Sequence, residues 1–499
     1  MSSQDARQGR GGDAARGGEA PLEEHHGKVI ALAVAAAVGG FLFGFDSSVI
    51  NGAVDAVGEQ FGLDAIVVGV VVAVALVGAA AGAWFAGTLA DRIGRTRAMV
   101  VAAFLFTISS IGSGFAFAAW DLALWRVIGG AGIGMASVLA PAYIAEISPS
   151  AIRGRLASFQ QLAITLGIFT ALLSNAFLAG QAGGAGADLW GLEAWRWMLL
   201  AGVVPSVVYG VLALLIPESP RYLVSRGRTQ EALRVFRDKL DLRRPDAMVA
   251  EIRKSLQRDD RPSMRDLRGP RFGLQPVVWV GIILSALQQL VGINVIFYYS
   301  TTLWQSVGFA ESDSFSISVG TAVLNVLVTL VAVAFVDKVG RKPLLLAGSA
   351  GMALGLGAVT VAFTQAQLVD AGDGTTTATL GSPWGVIALV GANLFVVAFG
   401  ASWGPVVWVL LGEMFPNRIR AAGLAVAAAM QWVANFAVTV SFPVMSQDVS
   451  LWATYLMYTV FAVISFFFVK IKITETKGKS LEEMGQDAPA AATAGEPRR

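Results

Sequence analysis

The sequence predicts an all-α integral membrane protein: twelve transmembrane helices in two pseudo-symmetric six-helix halves, with a cytoplasmic helical linker between them. Three observations carry that expectation. Apolar residues make up 55% of the 499 and charged residues only 14%, where a soluble domain carries about 25% charge; mean hydropathy is +0.62. Apolar runs of roughly 18 or more residues recur along the chain, each long enough to cross a hydrocarbon core of about 30 Å. The remaining charges collect at the ends of these runs, in a pattern that repeats between the two halves.

The spans are expected near 28–50, 64–90, 98–119, 122–146, 157–180, 196–216, 274–306, 314–336, 343–364, 384–411, 421–445 and 450–471. Small-xxx-small pairs, Gly78 with Gly82 and Gly130 with Gly134, predict close helix approach. The run GGAGIG (129–134) lacks the third glycine of a dinucleotide-binding turn and follows no strand, so it reads as packing. The short loops alternate in charge. FGLD, AAWD, the 181–194, 308–313 and 365–383 loops and SQDVS hold acids but no Lys or Arg, whereas DRIGRTR, IRGR, DKVGRKP and NRIR are basic. By the positive-inside rule the basic side is cytoplasmic, with both termini inside a multi-pass plasma membrane protein.

The domain division follows. Residues 1–27 read as a disordered cytoplasmic tail holding the only histidines, His25 and His26, which are expected to be solvated rather than metal-bound. Residues 28–217 form the N-terminal half, 218–272 the polar helical linker, 273–471 the C-terminal half and 472–499 a cytoplasmic tail. No signal peptide is expected before the first span.

The halves repeat where charge is found. DRIGR (91–95) follows the second span and DKVGR (337–341) the eighth. EISPSAIR (146–153) and EMFPNRIR (413–420), both E-x-x-P-x-x-I-R, follow the fourth and tenth. Internal repeats of this kind are a signature of secondary transporters, whose substrate site lies between halves near the midplane. Asp91, Arg92, Arg95, Glu146, Arg153, Asp337, Lys338, Arg341, Glu413 and Arg420 are therefore expected to form ion pairs within and between halves, latching the cytoplasmic side. The plainer alternative is topology and helix capping, but topology does not need the acids.

With these residues in view, the chain resembles the sugar porter family of the major facilitator superfamily over about 28–485. The motifs are GFLFGFDSSVING, G-x-x-x-D-R-x-G-R from Gly87, PESPRYL, QQLVGINVIFYYS, VDKVGRKP, SWGPVVWVLLGEMFP and TETKGKSLEE. The tail departs slightly, with Thr474 where the family usually has Pro. Among subgroups the chain looks most like bacterial proton-coupled glucose permeases. The resemblance implies a major facilitator fold and a sugar pocket lined by Gln161, Gln288, Gln289, Asn294, Asn325, Trp408, Gln431 and Trp432, with Phe43 packing nearby. Chemistry agrees, because a pyranose needs amides, which both donate and accept, and aromatic faces to pack its ring. Amides that merely bond neighbouring helices are the alternative. On a straight helix Gln289 and Tyr298 would face opposite ways, so joint action in binding or gating requires span 7 to bend, plausibly at Gly292.

Two ionisable residues fall well inside spans with no basic loop beside them: Asp46 in the first and Arg126 in the fourth. A lone charge at the bilayer centre costs roughly 3 kcal/mol on insertion scales, and pairing relieves much of it. The resemblance implies that the pair is a proton-coupling site. Sugar import by proton symport follows, D-glucose being the first reading and xylose or galactose the others. The alternatives are a static ion pair in a passive uniporter and a non-transporting sugar receptor; residues 472–499 are short for a signalling tail. A drug exporter suits the amide-rich pocket less well. The sixth span, WRWMLLAGVVPS, has no acid, so coupling would rest on Asp46 alone.

No enzymatic motif, cofactor or metal site is expected beyond the coupling proton, and thiol chemistry is excluded by the absence of Cys. The expected partners are a monosaccharide, protons and membrane lipid, with no nucleic acid, around a monomer.

Overall fold

The structure, a computed structural model, describes residues 27–148, 153–240, 245–258, 264–269, 273–370, 376–416 and 419–476. The predicted terminal tails therefore lie almost wholly outside the described residues. Among the described residues, twelve helices are long and apolar enough to cross a membrane. They run Gly27–Gly52, Ala65–Ile93, Arg95–Gly114, Ala119–Ile147, Phe159–Ala182 and Ala194–Leu215 in the first half. In the second they run Pro276–Tyr298, Glu311–Ala332, Arg341–Thr364, Trp384–Met414, Ala422–Val449 and Leu451–Lys472. We call them spans 1 to 12. Helix is the form expected where no water can satisfy the backbone. Among the described residues, the helices Pro220–Ser225, Thr229–Arg234 and Pro245–Arg258, with the shorter helical turns Val235–Lys239 and Met264–Leu267, connect the halves.

The packing repeats with the sequence. Span 1 lies on span 5 as span 7 lies on span 11; span 3 contacts spans 4 and 6 as span 9 contacts spans 10 and 12. The halves meet where span 2 touches span 11 and span 8 touches span 5, again one relation applied twice. Apolar burial drives little association in lipid, so close approach must supply the attraction. Spans 2 and 4 show how. A Cβ on Gly78 or Gly82 would stand 2.1 or 2.0 Å from the carbonyl oxygen of Val127 or Ala131. One on Gly130 or Gly134 would stand 2.0 Å from that of Ala75 or Ala79. All four glycines are required, and this contact seats Arg126 against span 2.

Span 7 is broken at the glycine where a joint role for Gln289 and Tyr298 would need a bend. Its first helix ends at Leu290, Gly292 takes φ +82°, and a second piece runs Ile293–Tyr298 before Ser300–Gln305. Only glycine adopts that backbone cheaply, and a Cβ there would also meet the Tyr458 ring at 2.7 Å.

The bundle has a basic end, carrying the DRIGR and DKVGR turns, and an acidic end. Hydrogen bonds between the halves gather at the acidic end. Asn51 donates to the Phe297 carbonyl (3.0 Å) and accepts from the Thr301 hydroxyl (2.6 Å) and amide (3.2 Å). Asp55 accepts from Thr302 (2.8 Å) and Gln305 (3.3 Å), and Glu311 from the Ala185 amide (2.9 Å).

Candidate substrate and proton site

On span 1, Phe43, Asp46, Ser47 and Ile50 follow the i, i+3, i+4, i+7 spacing of one helix face, and all four line a single small cavity. Val72, Ala75, Leu76 and Ala79 of span 2 face it with the same spacing, Arg126 and Ile133 reach it from span 4, and Tyr298 and Trp432 from the other half. Phe43 and Trp432 meet edge to face across the seam, ring centroids 5.8 Å apart. Ser47 and Asn435 lie beside the Tyr298 hydroxyl.

Asp46 and Arg126 stand 3.7 Å apart at their nearest oxygen and nitrogen. That is an ion pair longer than a hydrogen bond. Arg126, 5% exposed, reaches the Val72 carbonyl at a long 3.5 Å, and its buried Nε has no partner among the described residues. The guanidinium is thus held by charge more than by a fixed bond network, surrounded by apolar side chains of spans 2 and 4.

The C-terminal half gathers amides. Buried Gln288 donates to the Trp403 carbonyl (2.8 Å) and accepts from Gln431. Asn294 donates to Gln289 (2.6 Å) across the Gly292 break. Buried Asn325 lies against Gly400, whose added Cβ would stand 3.2 Å from its Oδ1. Gln161 is half-buried on span 5. Trp408 is 46% exposed on span 10, away from the cavity side chains. The predicted residues therefore divide: Phe43, Asp46, Arg126, Tyr298 and Trp432 share one cavity; Gln288 with Gln431 and Gln289 with Asn294 form two amide pairs; Gln161, Asn325 and Trp408 stand apart from both.

At the basic end the charges form two matching nets. Arg95 grips Glu146 through two bonds of 3.1 Å and reaches Asp91 at 2.9 Å. Arg341 grips Glu413 at 3.1 and 2.8 Å. The described pairs run within a half. Arg92 contributes its carbonyl, which accepts from Tyr222 (3.3 Å) and Arg226 (3.0 Å), while its own side chain is exposed. Lys338 lies over the Phe335 ring. The side chains of Arg153, Asp337 and Arg420 fall outside the described residues.

Sequence reasoning missed the third member of each net. Glu218 accepts from the Arg95 amide (2.9 Å) and Thr96 hydroxyl (3.0 Å), and Ser219 donates to Glu146. Glu475 accepts from the Arg341 and Lys342 amides (3.0 Å each), and Thr476 donates to Glu413 (2.6 Å). The signal was present as Glu-Ser after span 6 and Glu-Thr after span 12. Also missed were Ser47 in the cavity, and Asn51 and Asp55 at the acidic end.

Twelve spans in two repeated halves, with a charged pair and amides between them, define a secondary transporter of the major facilitator fold. The family model for "Sugar (and other) transporter" matches residues 32–488, and the chain belongs to that family. It is 54% identical over 458 residues to a glucose transport protein of Synechocystis, covering 91% of this chain and 97% of that one. It is 35% identical over 489 residues to the D-xylose-proton symporter of Escherichia coli, covering 91% and 95%. A solved structure of the xylose transporter XylE from E. coli, in a partially occluded inward-open conformation, matches with a TM-score of 0.77 at 33% identity, covering 91% of this chain and all of that one.

Proposed function

We propose that this protein imports a monosaccharide, D-glucose before xylose or galactose, by proton symport through alternating access in the cytoplasmic membrane. The observation that carries the coupling step is Asp46 beside Arg126 on the cavity that Tyr298 and Trp432 enter from the other half. The names of the relatives support the substrate class and the coupling ion. The basic loops orient the chain with its basic end and both termini in the cytoplasm. On that orientation the hydrogen-bonded acidic end faces outward, so this is an inward-facing form.

Transport then follows from the residues. Facing out, Asp46 takes a proton and loses its attraction for Arg126. Sugar enters between the halves, where Gln288, Gln289, Asn294, Gln431 and Trp432 line its pocket, and Gln161, Asn325 and Trp408 join it only as the halves rearrange; the amide pairs exchange one another for sugar hydroxyls. Buried amides left without partners would cost about 1–3 kcal/mol each, so the internal pairs keep the empty pocket stable. The halves rock, the Asn51 and Asp55 contacts form behind the sugar, and the nets at Arg95 and Arg341 separate from one another. Asp46 then releases its proton to the cytoplasm and re-pairs with Arg126.

The test is uptake of labelled glucose and xylose by proteoliposomes with and without an imposed pH gradient. Accumulation above equilibrium that collapses with an uncoupler is expected. Equilibration without accumulation would make the protein a uniporter and the Asp46–Arg126 pair structural.

A further inference from the structure

The seam that closes the acidic end has a titratable centre. Asp55, on the helix Val54–Phe61 that follows span 1, accepts hydrogen bonds from Thr302 and Gln305 of the opposite half. Directly beside it, Asn51 binds Thr301 and the Phe297 carbonyl. A cavity at this seam is lined by Asp55, Glu59, Thr301, Gln305 and Glu311, with no basic side chain in its lining. Two titratable groups face Asp55: Glu59 from its own helix and Glu311 from the head of span 8. The 300–305 helix presents only hydroxyls and an amide, and the 185–186 segment presents alanine and glycine.

We propose that Asp55 is a second proton-responsive residue, separate from Asp46: protonated, it holds the acidic-end seam shut, and ionised, it lets the halves part there. This rests on the alternating-access reading above. Three carboxyl groups at one seam without a cation repel when ionised, and closure also takes Asp55 out of water. Burial first, then the charges of Glu59 and Glu311, outweigh the Thr302 bond and push the Asp55 carboxyl up to about 6 from its ordinary 3.8. In an open, wet seam both causes weaken, so the closed form binds the proton more tightly. The closing effect is therefore complete below about pH 4 and lost as pH rises through about 6. On the proposed orientation Asp55 senses the outside. Strong acid would hold the protein inward-facing and oppose reloading, giving import an acid limb that Asp46 alone would not produce.

The experiment exploits a chain without Cys. Spin labels are placed at Gln181→Cys and Ala310→Cys, exposed positions on opposite halves of the acidic end, and their distance is measured in detergent without sugar from pH 4 to 8. The parent should shift from short to long distances, the ratio of the two populations changing at least threefold between pH 5 and 7. Asp46→Asn should keep this response. Asp55→Asn should stay short throughout. Glu59→Gln should keep the response with its midpoint at lower pH, since one neighbouring negative charge is gone; this variant decides the matter if Asp55→Asn does not fold. A parent that does not respond, an Asp55→Asn protein that responds as the parent does, or an unmoved Glu59→Gln midpoint would overturn the proposal. No gradient or vesicle is involved, so failure of symport in proteoliposomes and failure here are separate results.

Discussion

At the basic end, Arg95 with Glu146, Glu218 and Ser219 is matched bond for bond by Arg341 with Glu413, Glu475 and Thr476. At the midplane nothing of the kind survives. The N-terminal half presents a carboxylate and a guanidinium against apolar walls; the C-terminal half presents neutral amides bonded to one another. The contrast separates two demands on a repeated fold. Both halves must move as rigid bodies, so the nets that fasten span ends to the flanking segments recur. Gly94 and Gly340, at φ +102° and +108°, turn the chain so that the next amides reach Glu218 and Glu475. The midplane has instead to hold a proton on one side and a polyhydroxylated ligand on the other, and no single arrangement serves both.

The sharpest way to break this division is Asp46→Asn, which removes the titrating group and leaves the amides untouched. Breaking a buried pair strands the remaining charge at about 3–5 kcal/mol, but here the pair is already long and Arg126 has the Val72 carbonyl to turn to, so the protein should fold. Accumulation driven by a proton gradient should be lost entirely, while exchange of labelled for unlabelled glucose continues. An Asp46→Asn protein that still concentrates sugar would place the coupling proton elsewhere. The converse change, Gln288→Ala, should weaken sugar binding roughly 5- to 150-fold, the equivalent of about 1–3 kcal/mol for a lost buried partner. Coupling of whatever transport remains should persist. Thermal stabilisation by glucose, measured against concentration, reports it; unchanged stabilisation would remove Gln288 from the pocket.

The nets offer a comparison within one experiment. Arg95→Lys and Arg341→Lys keep the charge but lose the two-pronged grip on Glu146 and Glu413. If the halves are equivalent here, the two variants should lose transport rate by a similar factor, several-fold each, with sugar affinity nearly unchanged. A tenfold disparity between them would show that the repeated geometry hides unequal roles.

What the sequence made legible follows the physics of each feature. Span number and helix packing are written in long apolar runs and glycine spacing, because the bilayer leaves few alternatives. Asp46 and Arg126 stood out because a charge in a span is costly enough to be rare. The break in span 7 was readable from the opposed faces of Gln289 and Tyr298. Asn51 and Asp55 were not, since ordinary polar residues near span ends acquire meaning only when a partner 247 to 250 positions away is brought to them. Glu218 and Glu475 lay between these cases, because their motifs were visible but their relation as repeats was obscured by a Ser on one side and a Thr on the other.

That last difference yields the smallest and most exacting test. Ser219 donates its hydroxyl to Glu146 and Thr476 donates to Glu413, each to the carboxylate that an arginine already holds. Removing either hydroxyl, by Ser219→Ala or Thr476→Val, leaves the acid charged and still gripped, so the loss should be about 1.5 kcal/mol, the low end for a bond to a charged group. It should be the same in both halves apart from the long cap bond that Ser219 also accepts from the Tyr222 amide (3.4 Å). Each single change should lower the thermal midpoint of the purified protein slightly, and the double change should lower it by the sum, because residues that distant share no partner. A Ser219→Ala combined with Arg95→Lys should instead be less than additive, since both act on Glu146; Thr476→Val with Arg341→Lys should repeat that coupling at Glu413. If only one half showed it, the resemblance of the two nets would be one of position without shared energetics, and the rigid-body argument would hold for that half alone.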